Sequence, residues 1–122
     1  MSQFCGLQYY IMIEYDNKKT IAEIVNNGNA MVILYYAKWC MPCKSISQTL
    51  SDLKINFRDT IQIIAVNVDE FPIIALEQNV KSVPTLHYYK NASLYLKESG
   101  FRTRDQLSRN MDALLTVNSI EE

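Results

Sequence analysis

Two cysteines, Cys40 and Cys43, are the residues of this chain best suited to chemistry, and only Met41 and Pro42 separate them. They follow a strongly apolar run and precede a segment with helical periodicity, so Cys40 is expected at the N-terminus of a helix. There the unpaired backbone N–H groups and the positive end of the helix dipole favour a thiolate. Cys43 follows one helical turn later, and Pro42 costs no intrahelical hydrogen bond at that position. The spacing therefore predicts two-step exchange, in which Cys40 attacks a disulfide and Cys43 resolves the mixed disulfide.

Two other interpretations of the cysteine pair are weaker. A CxxC pair can supply half of a tetrahedral zinc site, but the remaining ligands would have to be Cys5 and His87, whose spacing fits no familiar zinc motif. Two buried structural thiols, the other alternative, would be unreactive. The pattern favours a redox pair, and no metal or prosthetic group is expected.

Composition limits the classes of protein to which the chain can belong. With 122 residues, 48% of them hydrophobic, it is expected to form a single domain over residues 1–122. The core is predicted at about residues 9–115, with a short N-terminal extension at 1–8 and an acidic tail at 117–122. A formal net charge of −1 without a cluster of Lys and Arg argues against nucleic-acid binding. The longest apolar run, residues 30–37, is too short to cross a membrane.

Cysteine usage points to a reducing compartment. The chain has three cysteines, an odd number, and its N-terminus lacks the basic and small-residue pattern of a secretory signal. We therefore expect a cytoplasmic protein, in which a close cysteine pair is catalytic rather than structural.

The elements that must position the pair follow from hydrophobic periodicity, and their predicted order is βαβαβαββα. Strands separated by helices run parallel through right-handed crossovers, whereas two strands joined by a short turn form an antiparallel hairpin. The fold class is therefore α/β, a central mixed sheet of four or five strands with helices on both faces. The cysteines would lie at the carboxyl edge of this sheet, where open α/β sheets bind their ligands. The predicted strands are residues 9–15, 30–37, 61–68, 85–90 and 94–97.

Sequence signals also predict where the helices begin and end. Asp16 or Asn17 is expected to cap the first helix, and Gly28 to stop it. Pro72 opens a short third helix, and Thr103 with Gln106 forms a capping-box pattern before the last one. The apolar positions predicted to face the core from the helices are Ile21, Ile24, Val25, Ile46, Leu50, Leu53, Phe57, Leu107, Met111, Leu114 and Leu115.

Three separated motifs resemble those of thioredoxins. The segment WCMPCK resembles the family's WC-x-PCK active site, with methionine where glycine is usual. VNVDEFP and VKSVPTLHYYKNA match the third strand, the third helix and the strand after it, and Gly100 occupies the position of a family glycine before the last helix. The resemblance covers about residues 9–115 and is specific because the motifs agree in order and spacing.

The resemblance implies a thiol–disulfide oxidoreductase that reduces protein disulfides. Cys40 resembles the attacking cysteine and Cys43 the resolving one, and Val83-Pro84 matches the family's cis-proline position. Trp39, Met41, Pro42, Val83 and Pro84 are expected to bind substrate, with the Val83 backbone open to a substrate strand. The expected partners are disulfide-containing client proteins and a thioredoxin reductase. The protein itself is expected to be a monomer that serves electron transport and cell redox homeostasis.

Several residues depart from the family's pattern. Leu34 replaces a buried aspartate thought to help deprotonate the resolving thiol, and Ala65 replaces its lysine companion. Gln48 replaces the proline that usually kinks the second helix, so a straighter helix is expected. His87 is interpreted either as a substitute proton relay or, more commonly for a lone histidine on such a strand, as a hydrogen-bonded core residue.

Two alternative functions stay open at this point. The Met-Pro dipeptide between the cysteines differs from the usual reductase pair, which allows a more oxidising thiol oxidase or isomerase. The absent acid at Leu34 also allows a non-catalytic binding module, although the intact cysteine pair argues against it.

Overall fold

One mixed sheet organises the part of the chain that the computed structural model describes, residues 12–26, 29–57 and 60–117. In the order β1-β3-β2-β4-β5, strands β1 and β2 run parallel to β3, whereas β4 runs antiparallel to β2 and β5. The prediction of a parallel first half followed by an antiparallel hairpin is confirmed, with five strands. The strands are β1 (Met12–Glu14), β2 (Ala30–Tyr36), β3 (Ile61–Asn67), β4 (Thr85–Lys90) and β5 (Ser93–Ser99).

Helices cover both faces of the sheet, as predicted. Within the described residues they are α1 (Ile21–Val25), α2 (Met41–Phe57), α3 (Pro72–Glu77) and α4 (Arg104–Thr116). Helices α2 and α4 pack on the face that carries the cysteines, and α1 and α3 pack on the other. Helix α2 continues without interruption through Gln48, whose amide donates a hydrogen bond to Asp52 at 3.2 Å.

The predicted start of the first helix is wrong by three or four residues. Thr20 is the N-cap, because its side chain accepts a hydrogen bond from the Glu23 N–H while the Glu23 carboxylate accepts one from the Thr20 N–H. Asp16 instead accepts from the Lys18 N–H, and Asn17 has a φ of 67°. These two side chains shape the preceding turn and are not available to cap a helix. The predicted stop at Gly28 lies outside the described residues.

The closing hairpin and the last helix follow the sequence signals closely. Asn91 and Ala92 form a two-residue turn with φ of 54° and 69°, as tight hairpins require. Strand β5 begins at Ser93, one residue earlier than predicted. The predicted Thr103–Gln106 capping box is present at the start of α4.

Strand β2 is buried along its whole length and divides the core in two. Val32, Leu34 and Tyr36 enter what we term the cysteine-side core, which also contains Cys40, Cys43, Ile46, Leu50, Leu53, Phe57, Leu107, Met111 and Leu114. Met31, Ile33 and Tyr35 enter the opposite core, with Ile21, Val25 and Tyr89. Because successive side chains of a strand point to opposite faces, the adjacent tyrosines Tyr35-Tyr36 and Tyr88-Tyr89 place one ring in each core. The pair Tyr9-Tyr10 lies outside the described residues.

Leu34 lies at the centre of an entirely apolar row of the cysteine-side core. It is 1% exposed and is flanked in register by Ala65 on β3 and Leu86 on β4, both buried. Neither flanking residue can donate a hydrogen bond or carry a positive charge through its side chain. A carboxylate at position 34 would therefore be buried beside apolar neighbours on both adjacent strands.

His87 lies in the opposite core, not at the cysteines. It is 1% exposed, its register partner on β2 is Ile33, and the Tyr35 ring packs edge-on against it at 5.0 Å. Neither ring nitrogen has a hydrogen-bond partner among the described residues. Burial, with a smaller contribution from Lys97, lowers the pKa of His87 to about 4. The proton-relay interpretation is therefore wrong, because the sheet separates this imidazole from Cys43 and burial keeps it neutral.

Leu34→Asp is expected to lower the free energy of unfolding by about 2–4 kcal/mol, because it buries a polar group without a partner. Leu34→Val, which removes only one methylene from the same site, is the control for lost volume. Urea unfolding of the three proteins at neutral pH measures the difference. Equal midpoints for Leu34→Asp and Leu34→Val would contradict the apolar environment described for this row.

Because of the buried His87, the free energy of unfolding should decrease as the pH is lowered into the acid range. Its folded pKa of about 4 lies below the ordinary 6.5, so the unfolded chain binds more protons between these values. The stabilising contribution is complete above pH 6.5 and decreases by up to about 3 kcal/mol as the pH falls to 4. His87→Phe, which keeps an aromatic ring, should lack this component in unfolding curves measured across that range. The same acid dependence in both proteins would show that His87 is not the group that titrates.

Candidate active site

The cysteine pair lies where the buried strand β2 gives way to helix α2. The chain leaves β2 at Tyr36 and turns back at Ala37, whose carbonyl accepts a hydrogen bond from the Cys40 N–H at 3.1 Å. The Cys40 carbonyl then accepts from the Lys44 N–H at 3.3 Å, within the first turn of α2. Cys40 therefore occupies the N-cap position of α2, at the carboxyl edge of the sheet as predicted.

The Cys40 sulfur takes the place of a capping side chain. It accepts a hydrogen bond from the Cys43 N–H at 3.2 Å, the bond that a serine or aspartate usually accepts at this position. Pro42 has no N–H to satisfy, so the first turn loses nothing there. In the reduced state the same N–H and the helix dipole favour a Cys40 thiolate, because both stabilise negative charge.

The two sulfurs form a disulfide in the structure, with the Cα atoms 5.3 Å apart. Cys40 is 4% exposed and Cys43 is 1% exposed, so the cross-link is buried except for a small opening at Cys40. Of the two sulfurs, Cys40 is thus both the more accessible and the one that accepts the helix N–H. These two asymmetries agree with the predicted roles of attacking and resolving cysteine.

An exposed apolar rim surrounds this buried disulfide. Trp39 is 70% exposed and Met41 is 69% exposed, and Pro42 is exposed as well. The Trp39 ring is anchored by one hydrogen bond, from its indole Nε1–H to the Asp69 carboxylate at 2.8 Å. Large apolar groups at the surface beside reactive sulfurs are typical of a contact site for other proteins.

Val83 and Pro84 lie against the cysteine-side core. Their peptide bond is cis, as predicted, and the partly buried Val83 side chain packs against the core that contains both cysteines. The Pro84 carbonyl accepts a hydrogen bond from the Gly100 N–H at 2.8 Å, with Gly100 at a φ of 92°. That positive φ explains the glycine at position 100, because side chains are disfavoured there.

Three polar residues of the site were missed by the sequence reasoning. Glu14 accepts a hydrogen bond from the Tyr36 hydroxyl at 2.5 Å, and Asn67 and Asp69 shape the loop after β3. Partial burial raises the pKa of Glu14, and donation from Tyr36 acts in the opposite direction. One signal was available for Glu14, since it is the sole acidic residue in the otherwise aromatic and aliphatic YYIMIEY segment.

Among the described residues, no group of three or more His, Cys, Asp or Glu side chains is arranged to hold a metal ion. Cys5, considered with His87 for a zinc site, lies outside them. No helix within these residues combines the length and apolarity needed to cross a bilayer.

Known relatives of the sequence are thioredoxins. The chain is 30% identical over 69 residues to the thioredoxin of Griffithsia pacifica, which spans 57% of this chain and 63% of that protein. It is 27% identical over 94 residues to a chloroplastic thioredoxin of Arabidopsis thaliana, which spans 77% of this chain and 55% of that protein. The chain thus spans less than two thirds of the length of the curated relatives it matches.

Solved structures show the same fold. A thioredoxin variant from Halobacterium salinarum NRC-1 superposes with a TM-score of 0.77 at 18% identity, covering 88% of this chain and 94% of that one. A chain from a structure on thiol resolution in yeast mitochondrial 1-Cys peroxiredoxin via glutathione/thioredoxin systems gives a TM-score of 0.77 at 27% identity. It covers 86% of this chain and 97% of that one. The architecture described above is therefore the thioredoxin fold.

The family model named Thioredoxin matches residues 12–113, which is most of the chain and includes both β2 and the first turn of α2. Because this match covers most of the chain, the chain belongs to the thioredoxin family.

Proposed function

We propose that this protein is a thiol–disulfide oxidoreductase that reduces disulfides of other proteins. The observation that carries the proposal is the Cys40 sulfur, which caps α2, accepts the Cys43 N–H and is bonded to Cys43. A disulfide that closes across one helical turn is made and broken without rearranging the fold. Family membership supports the same chemistry.

The reaction proceeds in two exchange steps that together transfer two electrons to the client. The Cys40 thiolate attacks one client sulfur, forming a mixed disulfide and releasing the other client sulfur as a thiolate. Cys43 then loses its proton and attacks the Cys40 sulfur, which forms the Cys40–Cys43 disulfide and releases the second client thiolate. Each client thiolate takes up a proton, and the first can accept the one that Cys43 loses.

Client proteins would bind across the exposed rim. Trp39, Met41 and Pro42 offer apolar surface beside the opening at Cys40. On the other side, the Val83 backbone makes no hydrogen bond to another described residue and is available to an extended client segment. Pro84, packed behind it, keeps that backbone close to the cysteines.

The remaining expectations about context are part of the same proposal. Electrons would return to the disulfide from a thioredoxin reductase, which places the protein in electron transport and redox homeostasis. A monomer in the reducing cytoplasm suits a protein whose rim must stay open to many clients. The balanced net charge of −1 favours contact through the apolar rim over recognition of a highly charged partner.

The first test concerns which thiol reacts. Near neutral pH, iodoacetamide should label Cys40 of the reduced protein well before Cys43, because Cys40 is the more exposed and accepts the helix N–H. Cys43→Ser should trap a mixed disulfide between Cys40 and a disulfide-bonded test protein. Cys40→Ser is the matched control and should trap none, with Cys5→Ser in both backgrounds to remove the third thiol. Mass mapping that finds Cys43 labelled first would reverse the two roles.

The second test concerns the direction of exchange. A reductase should equilibrate with glutathione or thioredoxin at a reduction potential of about −270 mV. A value of about −180 mV or above would instead identify an oxidase or isomerase, for which the Met-Pro dipeptide is the structural reason. Catalytic turnover of a disulfide-bonded test protein, with a reductant supplied in excess, separates both enzymes from a binding module, which would show none.

A further inference from the structure

We propose that Glu14 and Tyr36 are positioning residues that hold the Trp39 indole in place for client binding. The role rests on the proposed function of the cysteine pair. A chain of contacts connects the carboxyl end of β1 to the exposed tryptophan beside Cys40, with hydrogen bonds at both ends and the register contact of Tyr36 with Asn67 between them. Each connection in that chain is made by a named side chain of the described structure.

The first connection joins the edge of the sheet to the cysteine-side core. Glu14 is the last residue of β1 and lies beside Ala65 in register, and its Oε2 accepts a hydrogen bond from the Tyr36 hydroxyl at 2.5 Å. Tyr36 is 7% exposed and packs in the core that contains Cys40 and Cys43. A carboxylate with a hydroxyl donor at this distance makes a charge-assisted bond, which fixes the ring more firmly than packing alone.

The second connection joins Tyr36 to the loop after β3. Tyr36 and Asn67 are in register on neighbouring strands and both are buried, so their side chains lie side by side on the same face of the sheet. The buried Asn67 Oδ1 also accepts from the Asp69 N–H at 2.9 Å and the Glu70 N–H at 3.2 Å. An asparagine side chain that accepts from the two following N–H groups sets the path of a turn. The Tyr36 carbonyl reinforces that path by accepting from the Val68 N–H at 2.9 Å.

The last connection reaches Trp39 in the exposed apolar rim. Asp69 Oδ2 accepts the indole Nε1–H of Trp39 at 2.8 Å. An indole has a single N–H donor, so at 70% exposure the orientation of this ring depends on where the loop holds Asp69. Glu14 and Tyr36 thus act on the rim through Asn67, without touching a client themselves.

Several groups act on the Glu14 carboxyl at this edge. Partial burial raises its pKa, the Tyr36 hydroxyl lowers it, Glu70 raises it, and Lys38, in the loop that leads to Trp39, lowers it. If these hydrogen bonds only stabilised the fold locally, removing the Glu14–Tyr36 bond would leave the mobility of the Trp39 indole unchanged. The positioning role instead predicts that the indole becomes more mobile.

The experiment uses the full-length reduced protein and its single tryptophan as an internal probe. Tyr36→Phe removes the hydroxyl and keeps the ring, and Glu14→Leu removes the acceptor. Glu14→Gln keeps an acceptor and should restore the wild-type behaviour. Tyr35→Phe is the matched control, because that neighbouring hydroxyl is buried in the opposite core without a hydrogen-bond partner among the described residues.

Two readouts are compared for these variants. Time-resolved fluorescence anisotropy should show a larger rapid component for Trp39 in Tyr36→Phe and Glu14→Leu only. The KM for a disulfide-bonded test protein should rise in the same two variants by about two- to tenfold, the change expected for one lost hydrogen bond. Their kcat should stay near the wild-type value, and so should their rate with glutathione disulfide, which is too small to span the rim.

The possible results separate the proposals. An unchanged anisotropy in both Tyr36→Phe and Glu14→Leu overturns the positioning role, as does a freed indole without a change in KM. A similar change in Tyr35→Phe also overturns it, because the effect would then be general loosening of β2. If the wild type reduces no test protein, the proposed function fails. In that case the anisotropy of Trp39 is still compared among the variants, and the equilibrium affinity for the oxidised test protein replaces KM. Equal affinities of the wild type, Tyr36→Phe and Glu14→Leu would overturn the inference.

Discussion

The burial of strand β2 on both faces is the constraint on which the rest of the structure depends. An apolar strand of this kind is stable only when other strands pair with it on both edges and helices cover both faces, because every side chain must leave water. Strands β3 and β4 supply the edges, and α2 with α4 and α1 with α3 supply the covers. Strand β2 ends at Tyr36, and the turn that follows it carries Cys40.

That geometry makes one sulfur part of the helix itself. Cys40 caps α2 through the Cys43 N–H, so the sulfur proposed as the attacking thiolate lies where the helix best stabilises negative charge. The disulfide is nevertheless almost entirely buried, while Trp39 and Met41 beside it are largely exposed. In the proposed function, a client would therefore make most of its contact with this rim and little with the sulfurs.

The distribution of polar groups around the sheet departs from the family's pattern described above. Beneath the cysteines, Leu34 and Ala65 form an apolar row without a titratable group. Replacing a buried charge pair with apolar residues is often neutral or stabilising, so this core need not be weaker. Polar contacts are found instead at the carboxyl end of the sheet, where Glu14 accepts from Tyr36 and Asn67 accepts from the loop that follows it. His87 lies on the opposite face of the sheet, so it cannot replace an acid beneath the sulfurs.

The sequence by itself determined the element order, the mixed sheet and the position of the cysteine pair. These follow from hydrophobic periodicity, from the capping box of Thr103 with Gln106, and from the spacing of Cys40 and Cys43. Each of these signals is local, because it depends on residues that are close together in the sequence. The first helix cap was also within reach of the sequence, because Thr20 and Glu23 have the capping-box spacing that was recognised at Thr103 and Gln106, and the choice of Asp16 or Asn17 overlooked it. Only the tertiary structure decided that Glu14 contacts Tyr36, 22 positions away, and that the His87 ring packs against Tyr35. Such contacts depend on strand register across the sheet, which a sequence pattern of period two constrains to a face but not to a partner.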